Sequence, residues 1–390
     1  MKIIYSANTD WSLYNFRRAQ IESTLKQNWQ VSCVCSKGPF IKLIKKFGVN
    51  KIFLLRNYKK NVDLISDFSL IFEYYRIYKQ WKPEIVHQFS IKPVTYGTIA
   101  ARLARVPIII NTIPGLGYIF SDTEKERKFL RTIVLLLYKI AGKLSDFMFF
   151  QNEDDKRLFI NHKIVSKDKT SVIPGSGVDT QHYSQDKINK KIIDQIKMDI
   201  NYKPNQIIIL MVSRMLYDKG IAELAECSER IKEIKPEVRF LLAGPLDPSN
   251  PGHIPLEVIE KWQRENKIEY LGRRSDIREL IDLSDIAVLP SYYREGKPKF
   301  LLEAASMGKP VITTDVPGCR DIVEDGENGI MVPIKDVESL FKAVIKLINN
   351  YELRKKMGEI SRKKAEKEFN QKIVIEQTLK VYDQLIKQKL

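Results

Sequence analysis

Two carboxylates in one short stretch carry the most specific chemistry in the chain. Residues 291–333 read SYYREGKPKFLLEAASMGKPVITTDVPGCRDIVEDGENGIMVP. An apolar strand at 286–290 runs into a polar loop that holds Glu295 and Gly296. Pro298 suits the first turn of a helix, where its missing N–H would be unsatisfied anyway. The run 299–307 is helix-forming, Gly308 is a natural stop, and 309–315 reads as a buried strand. Glu295 therefore lies before a helix and Glu303 about two turns into it. Both can face one crevice at the carboxyl end of a sheet. Backbone N–H groups along 296–300, those of Gly296, Lys297, Lys299 and Phe300 on either side of Pro298, would hold an anion such as a pyrophosphate. The competing reading is a surface loop and helix with solvated glutamates.

The bulk of the sequence narrows the class. At 390 residues the chain is long enough for two domains, and a hydrophobic fraction of 44 % is ordinary for a globular protein. No apolar run reaches the ~18 residues of a membrane span. The opening MKIIYSANTD has no apolar core of a signal peptide. Cys33, Cys35, Cys227 and Cys319 form no metal-ligand or disulfide framework, so a reduced, cytoplasmic location is expected. Charge is uneven. Residues 1–190 hold 31 Lys and Arg against 16 Asp and Glu, whereas the remainder holds 34 against 32. A base composition that favours lysine codons would load both halves alike. The basic half instead points to an anionic partner for the first domain: a membrane surface, a lipid pyrophosphate or a nucleic acid.

The stretch around Glu295 resembles the signature of retaining GT-B glycosyltransferases, in particular family 4. That signature is two glutamates with seven residues between them and Gly-x-Pro after the first. Here it is Glu295, Gly296, Pro298 and Glu303, followed by Gly308-Lys309-Pro310. Upstream, Arg214 and, five residues on, Lys219-Gly220 resemble the pair that grips the nucleotide pyrophosphate. Gly272, Arg273 and Arg274, in EYLGRRSD, resemble the loop that holds the base. The resemblance implies that Glu303 holds the ribose hydroxyls and Glu295 those of the donor sugar. Arg214 and Lys219 would stabilise charge on the departing diphosphate. Gly296, Lys297, Pro298, Lys299, Phe300, Gly272 and Arg273 would complete the donor site. There is no Asp-x-Asp of a metal-bound donor, so no metal and no further cofactor are expected.

The first half alternates strand and helix signals, which predicts a parallel sheet with helices on both faces. Its first loop, expected over Asn8–Arg18 with a helix from about Phe16, lacks the two glycines common in the family. Asp10, Trp11 and Arg17 either shape an acceptor pocket or form a capped helix start with a packed Trp. His87, expected to end a strand, either touches the donor sugar or is a structural histidine. Lys92 is the alternative, as a cation for a phosphate. Gly115 and Gly117, in NTIPGLGYIF, allow close backbone approach and resemble members that elongate lipid-linked glycans. Residues 123–145 combine a broad apolar face with Lys125, Arg127, Lys128, Arg131, Lys139 and Lys143. Such a helix either lies on an anionic bilayer or packs on two sides.

The expected architecture is α/β, with two Rossmann-like domains facing a central cleft. Residues 1–190 form the acceptor domain and 191–370 the nucleotide-sugar domain, 371–390 crosses back to the first, and 181–203 is the linker. The implied reaction moves a sugar, plausibly an N-acetylhexosamine, from a UDP-sugar to a polyprenyl-diphosphate-linked or other bacterial surface glycan. The protein would sit peripherally on the inner face of a bacterial membrane, with no nucleic acid partner. Two alternatives remain: a GT-B sugar-nucleotide epimerase, which needs no acceptor, and a basic membrane or nucleic-acid binding module, which leaves the Arg/Lys and Glu/Glu constellation unexplained.

Overall fold

The structure is a computed structural model that describes residues 1–56, 58, 64–120 and 125–390, without the side chains of 64–66, 118–119 and 125–129. The chain divides into two compact units, Met1–Ser176 with Gln371–Leu390, and Gly177–Asn370. The division falls in the crossover around Gly175, ahead of residue 190.

The first unit runs β1 (Lys2–Thr9), α1 (Asp10–Lys26), β2 (Gln30–Ser36), α2 (Ile41–Lys45), β3 (Lys51–Leu55), α3 (Leu64–Trp81), β4 (Ile85–Phe89), α4 (Thr98–Leu103), β5 (Ile108–Ile113), α5 (Lys125–Leu144), β6 (Phe147–Phe150), α6 (Glu153–Asn161) and β7 (Thr170–Val172). Its seven strands lie in the order β3-β2-β1-β4-β5-β6-β7, every pair parallel. The second unit runs α7 (Lys190–Asp199), β8 (Ile207–Val212), α8 (Ile221–Ile234), β9 (Val238–Ala243), α9 (Leu256–Arg264), β10 (Glu269–Tyr270), α10 (Ile277–Leu283), β11 (Ile286–Leu289), α11 (Lys299–Ser306), β12 (Val311–Thr314), β13 (Gly329–Val332), α12 (Val337–Ile348) and α13 (Tyr351–Glu368). Its six parallel strands lie in the order β10-β9-β8-β11-β12-β13. The last helix, α14 (Gln371–Lys389), belongs to the first unit. Among the described residues no helix is long and apolar enough to cross a membrane.

Buried parallel strands are apolar on both faces, and Ile207–Val212 (IIILMV) shows that continuity; Val238–Ala243 (VRFLLA) breaks it only at Arg239, whose charge is met by Glu269. In both sheets the order reverses beside the first strand, between β1 and β4 and between β8 and β11. Ligands of open α/β sheets bind beyond the carboxyl ends of strands at such a switch point.

Two local expectations are corrected. The first helix starts at Asp10, not near Phe16, because Thr9 caps it by accepting the Ser12 N–H at 3.1 Å. Residues 181–203 are not a linker. They contain α7, whose Ile196 and the following Ile200 are buried in the second unit's core. Their charged neighbours hid a four-residue apolar spacing. Helix α5 is covered on two sides: Val134 and Tyr138 are buried with Leu130 and Leu135 against one cluster, and Leu137 packs on another. The expected basic contributions of Lys125, Arg127 and Lys128 lie outside the described side chains.

Helix α14 closes the first unit's core. Val374, Tyr382 and Leu385 are buried against residues of β1, β2, β4 and β5. The Tyr382 hydroxyl lies 2.5 Å from His87 Nδ1, and Nε2 of the same ring lies 2.7 Å from Thr112 Oγ1. Burial, then the nearby Arg17 charge, pushes the His87 pKa well below its usual 6.5. The native ring stays neutral while an unfolded histidine binds a proton below about 6.5, so the unfolded state binds more protons and stability is lost as the pH drops through that range. Between pH 7 and 5.5 this one group should remove about 1 kcal/mol from the first unit's stability. Denaturant titrations of the wild type and of His87→Gln over that range check it: the variant is less stable throughout, and its pH slope is smaller by this amount.

Candidate active site

The second unit's site is built on the switch point between β8 and β11. The loop after β8 carries Arg214 and a short turn, Tyr217–Lys219, before α8; the loop after β11 carries residues 290–298 before α11. The carbonyl of Asp218 joins these loops. It accepts the N–H groups of Tyr292 at 3.0 Å and Tyr293 at 3.1 Å and the Ser291 hydroxyl at 3.1 Å. Gly220 begins α8 at φ +79°, and a Cβ there would stand 2.1 Å from the Pro290 carbonyl oxygen. Only glycine allows both the left-handed backbone and that approach.

This junction sets the charges. The Lys219 ammonium is buried on the Glu295 carboxylate and lies 4.3 Å from the centre of the Tyr293 ring. Ser291 Oγ donates to the same Glu295 carboxylate at 3.3 Å. Arg214 lies 2.9 Å from Asp247 Oδ2, and its charge also feels Tyr293 and Glu295. Burial raises the Tyr293 pKa, with Lys219 opposing. Arg214 and Lys219 thus form one cluster with Glu295, 76 residues on from Lys219. Asp247, Ser291 and Tyr293 belong to it and were not anticipated. The hydroxyl and paired rings of Ser291-Tyr292-Tyr293, four to two residues before Glu295, were the available signal.

Behind the Glu295 loop, Gly318 has φ +84°, and a Cβ there would stand 1.8 Å from the Gly296 carbonyl oxygen. The loop rests on bare backbone. Pro298 ends it at φ −59°, and no side chain caps the start of α11. Glu303 is buried on the second turn, 3.4 Å from Lys299 Nζ. Burial, then the hydrogen-bonded Glu303 carboxylate, raises the Tyr183 hydroxyl well above its usual value. Two expected donor residues face inward. Phe300 is part of the core, and Lys297 is buried 3.0 Å from Asp321, with burial lowering its pKa. Gly272 takes φ +65°, its carbonyl accepting the Gly244 N–H at 2.8 Å, and Arg273 beside it is exposed. The loops after β9 and β10 are thereby tied together.

In the first unit the candidates scatter by burial. The Asp10 carboxylate accepts the N–H of Trp11 at 2.8 Å and of Phe40 at 2.6 Å, which pins two loops together. Arg17 is buried with its guanidinium 4.0 Å from the Phe89 ring centre; burial lowers its pKa to about 9. His87 lies inside the core as described, two residues before the end of β4. Lys92 is buried 2.5 Å from Asp67, so its charge is met within the fold. Trp11, 44 % exposed, remains at the surface; Gly115, at φ +118°, is half-buried, and Gly117, at φ +63°, is buried.

Comparison with known proteins matches both halves of the chain. Residues 192–364 match the family model of glycosyl transferases group 1, and residues 2–152 match that of glycosyl transferase 4-like proteins. The chain is 26 % identical to N,N'-diacetylbacillosaminyl-diphospho-undecaprenol alpha-1,3-N-acetylgalactosaminyltransferase of Campylobacter jejuni, over 99 % of this chain and 100 % of that one. It is 28 % identical to UDP-Gal:alpha-D-GlcNAc-diphosphoundecaprenol alpha-1,3-galactosyltransferase of Escherichia coli, over 85 % of this chain and 83 % of that one. Among solved structures, Anabaena Alr3699/HepE in complex with UDP superposes with a TM-score of 0.79 at 18 % identity, over 98 % of this chain and 100 % of that one. With two parallel-sheet units, a switch-point cluster of Arg214, Lys219 and Glu295, and glycosyltransferase models on both halves, the chain belongs to the family 4-like GT-B glycosyltransferases.

Proposed function

We propose that this glycosyltransferase moves a sugar, of the N-acetylhexosamine or hexose class, from a UDP-sugar to a saccharide on a polyprenyl diphosphate, with retention and without a metal. The observation that carries this reading is the buried Lys219–Glu295 pair with Arg214 beside it. The names of the Campylobacter and Escherichia relatives support the donor and acceptor classes. The cations balance the donor's diphosphate, Glu303 takes the ribose hydroxyls and Glu295 the sugar hydroxyls. An acceptor hydroxyl attacks the anomeric carbon from the face the leaving group occupies. The bond from that carbon to the diphosphate oxygen breaks, and a phosphate oxygen takes the hydroxyl proton. No separate base is required. Lys219 exchanges part of its contact with Glu295 for the phosphate as charge grows there, which favours the transition state over the bound donor.

Replacing Arg214 or Lys219 with Ala should lower kcat by about 10²–10³, the loss seen when one charge-stabilising donor is removed. Single-turnover transfer assays read this directly, and full activity in both variants would sink the assignment. EDTA should leave turnover nearly intact; complete loss that Mg²⁺ or Mn²⁺ restores would reverse the metal reading. UDP release should require a polyprenyl-diphosphate-linked saccharide. Conversion of the UDP-sugar to its epimer with no acceptor present would replace transfer with isomerisation.

A further inference from the structure

The first unit exposes large apolar side chains that its core does not use. Phe68 on α3 is 71 % exposed and Phe72 55 %; Leu103 at the end of α4 and Leu136 on α5 are each 60 % exposed. Helix α4 packs against both α3 and α5, so the three form one helical layer over one face of the sheet. A groove of about 430 Å³ runs among Phe68, Ile71, Phe72, Tyr75 and Leu103.

The same layer is positively charged. Arg76, Lys79, Arg105, Lys139 and Lys143 are exposed on it, and the Arg76 guanidinium lies 4.2 Å from the Phe72 ring centre. Segments 98–105 and 130–144 contain no Asp or Glu. On α3, Asp67 is buried against Lys92, and Glu73 accepts the Arg56 backbone N–H. We propose that this layer docks on an anionic bilayer, with Phe68, Phe72, Leu103 and Leu136 entering the interfacial region and the cations meeting lipid phosphates. Aromatic rings with flanking Arg and Lys suit that boundary. A second copy of the chain fits poorly, because a two-fold contact sets the same patch against itself and brings like charges together. Helix α5 had two readings, a contact with an anionic bilayer or packing on two sides. That helix is packed on two sides, and the exposed aromatic surface is on α3. Docking here serves the lipid-linked acceptor proposed above, but the surface is testable without it.

The full chain is sedimented with phosphatidylcholine vesicles, with and without phosphatidylglycerol, at low and high salt. The wild type should pellet with the anionic vesicles only, and less as salt screens the cations. Phe68→Ser with Phe72→Ser should lower the bound fraction about tenfold, since the apolar contribution is lost while the charge remains. Both rings are exposed, so the variant should keep the wild-type unfolding midpoint and its transfer to a short-chain, water-soluble acceptor. A wild type left in the supernatant at low salt overturns the proposal. So does unchanged binding of the double variant, or a wild-type dimer that the substitutions dissolve. Absence of transfer by a wild type that binds vesicles as stated would count against the acceptor reading alone.

Discussion

A buried ammonium must meet a carboxylate, and the pairing of Lys219 with Glu295 is the contact on which the second unit's site depends. Taking either ion out of water alone costs several kcal/mol. The pair therefore requires the loops after β8 and β11 to be held in register. The Asp218 carbonyl does this with backbone and hydroxyl donors from three consecutive residues. Gly220 and Gly318 let backbone press on backbone from either side. The charges sit on a scaffold of amides, not on flexible side chains reaching across a gap, and this favours electrostatic stabilisation that needs no reorganisation.

The two units use one topology to different ends. Each sheet reverses its strand order beside its first strand, so each has a natural place for a ligand. In the second unit that place gathers unlike charges. In the first unit the polar residues near it are spent on the fold: Asp10 ties two loops, Lys92 meets Asp67, and His87 bridges Tyr382 and Thr112. What remains at its surface is the indole of Trp11.

Most strands were legible because their apolar runs are unbroken, as in IIILMV, whereas the two-residue β10, in a stretch read as a loop, and the short β7 and β13 were not. The start of α1 was not, because Asn8 to Asn15 mixes aromatic and polar residues without a period, and its cap is a single Thr9 hydroxyl. At the site, the glutamates and cations could be found because their spacing follows local turns and helices. The fates of Arg17, His87 and Lys92 could not, because burial is decided by distant partners. Tyr382, which takes a hydrogen bond position on His87, stands 295 residues away in sequence. The same limit hid the α3 patch: Phe68 and Phe72 read as ordinary core residues on an amphipathic helix until their neighbours are known.

The return of α14 to the first unit bears on how the protein is made. Val374, Tyr382 and Leu385 are parts of a core whose other members come from the first half of the chain. The ribosome delivers them only after all of Gly177–Asn370 has emerged. The second unit is contiguous and can complete its core as soon as it leaves the exit tunnel. The first must wait, with the apolar side chains of β1, β2, β4 and β5 that Tyr382 will cover still open to water. The unit synthesised first is thus the last to be finished.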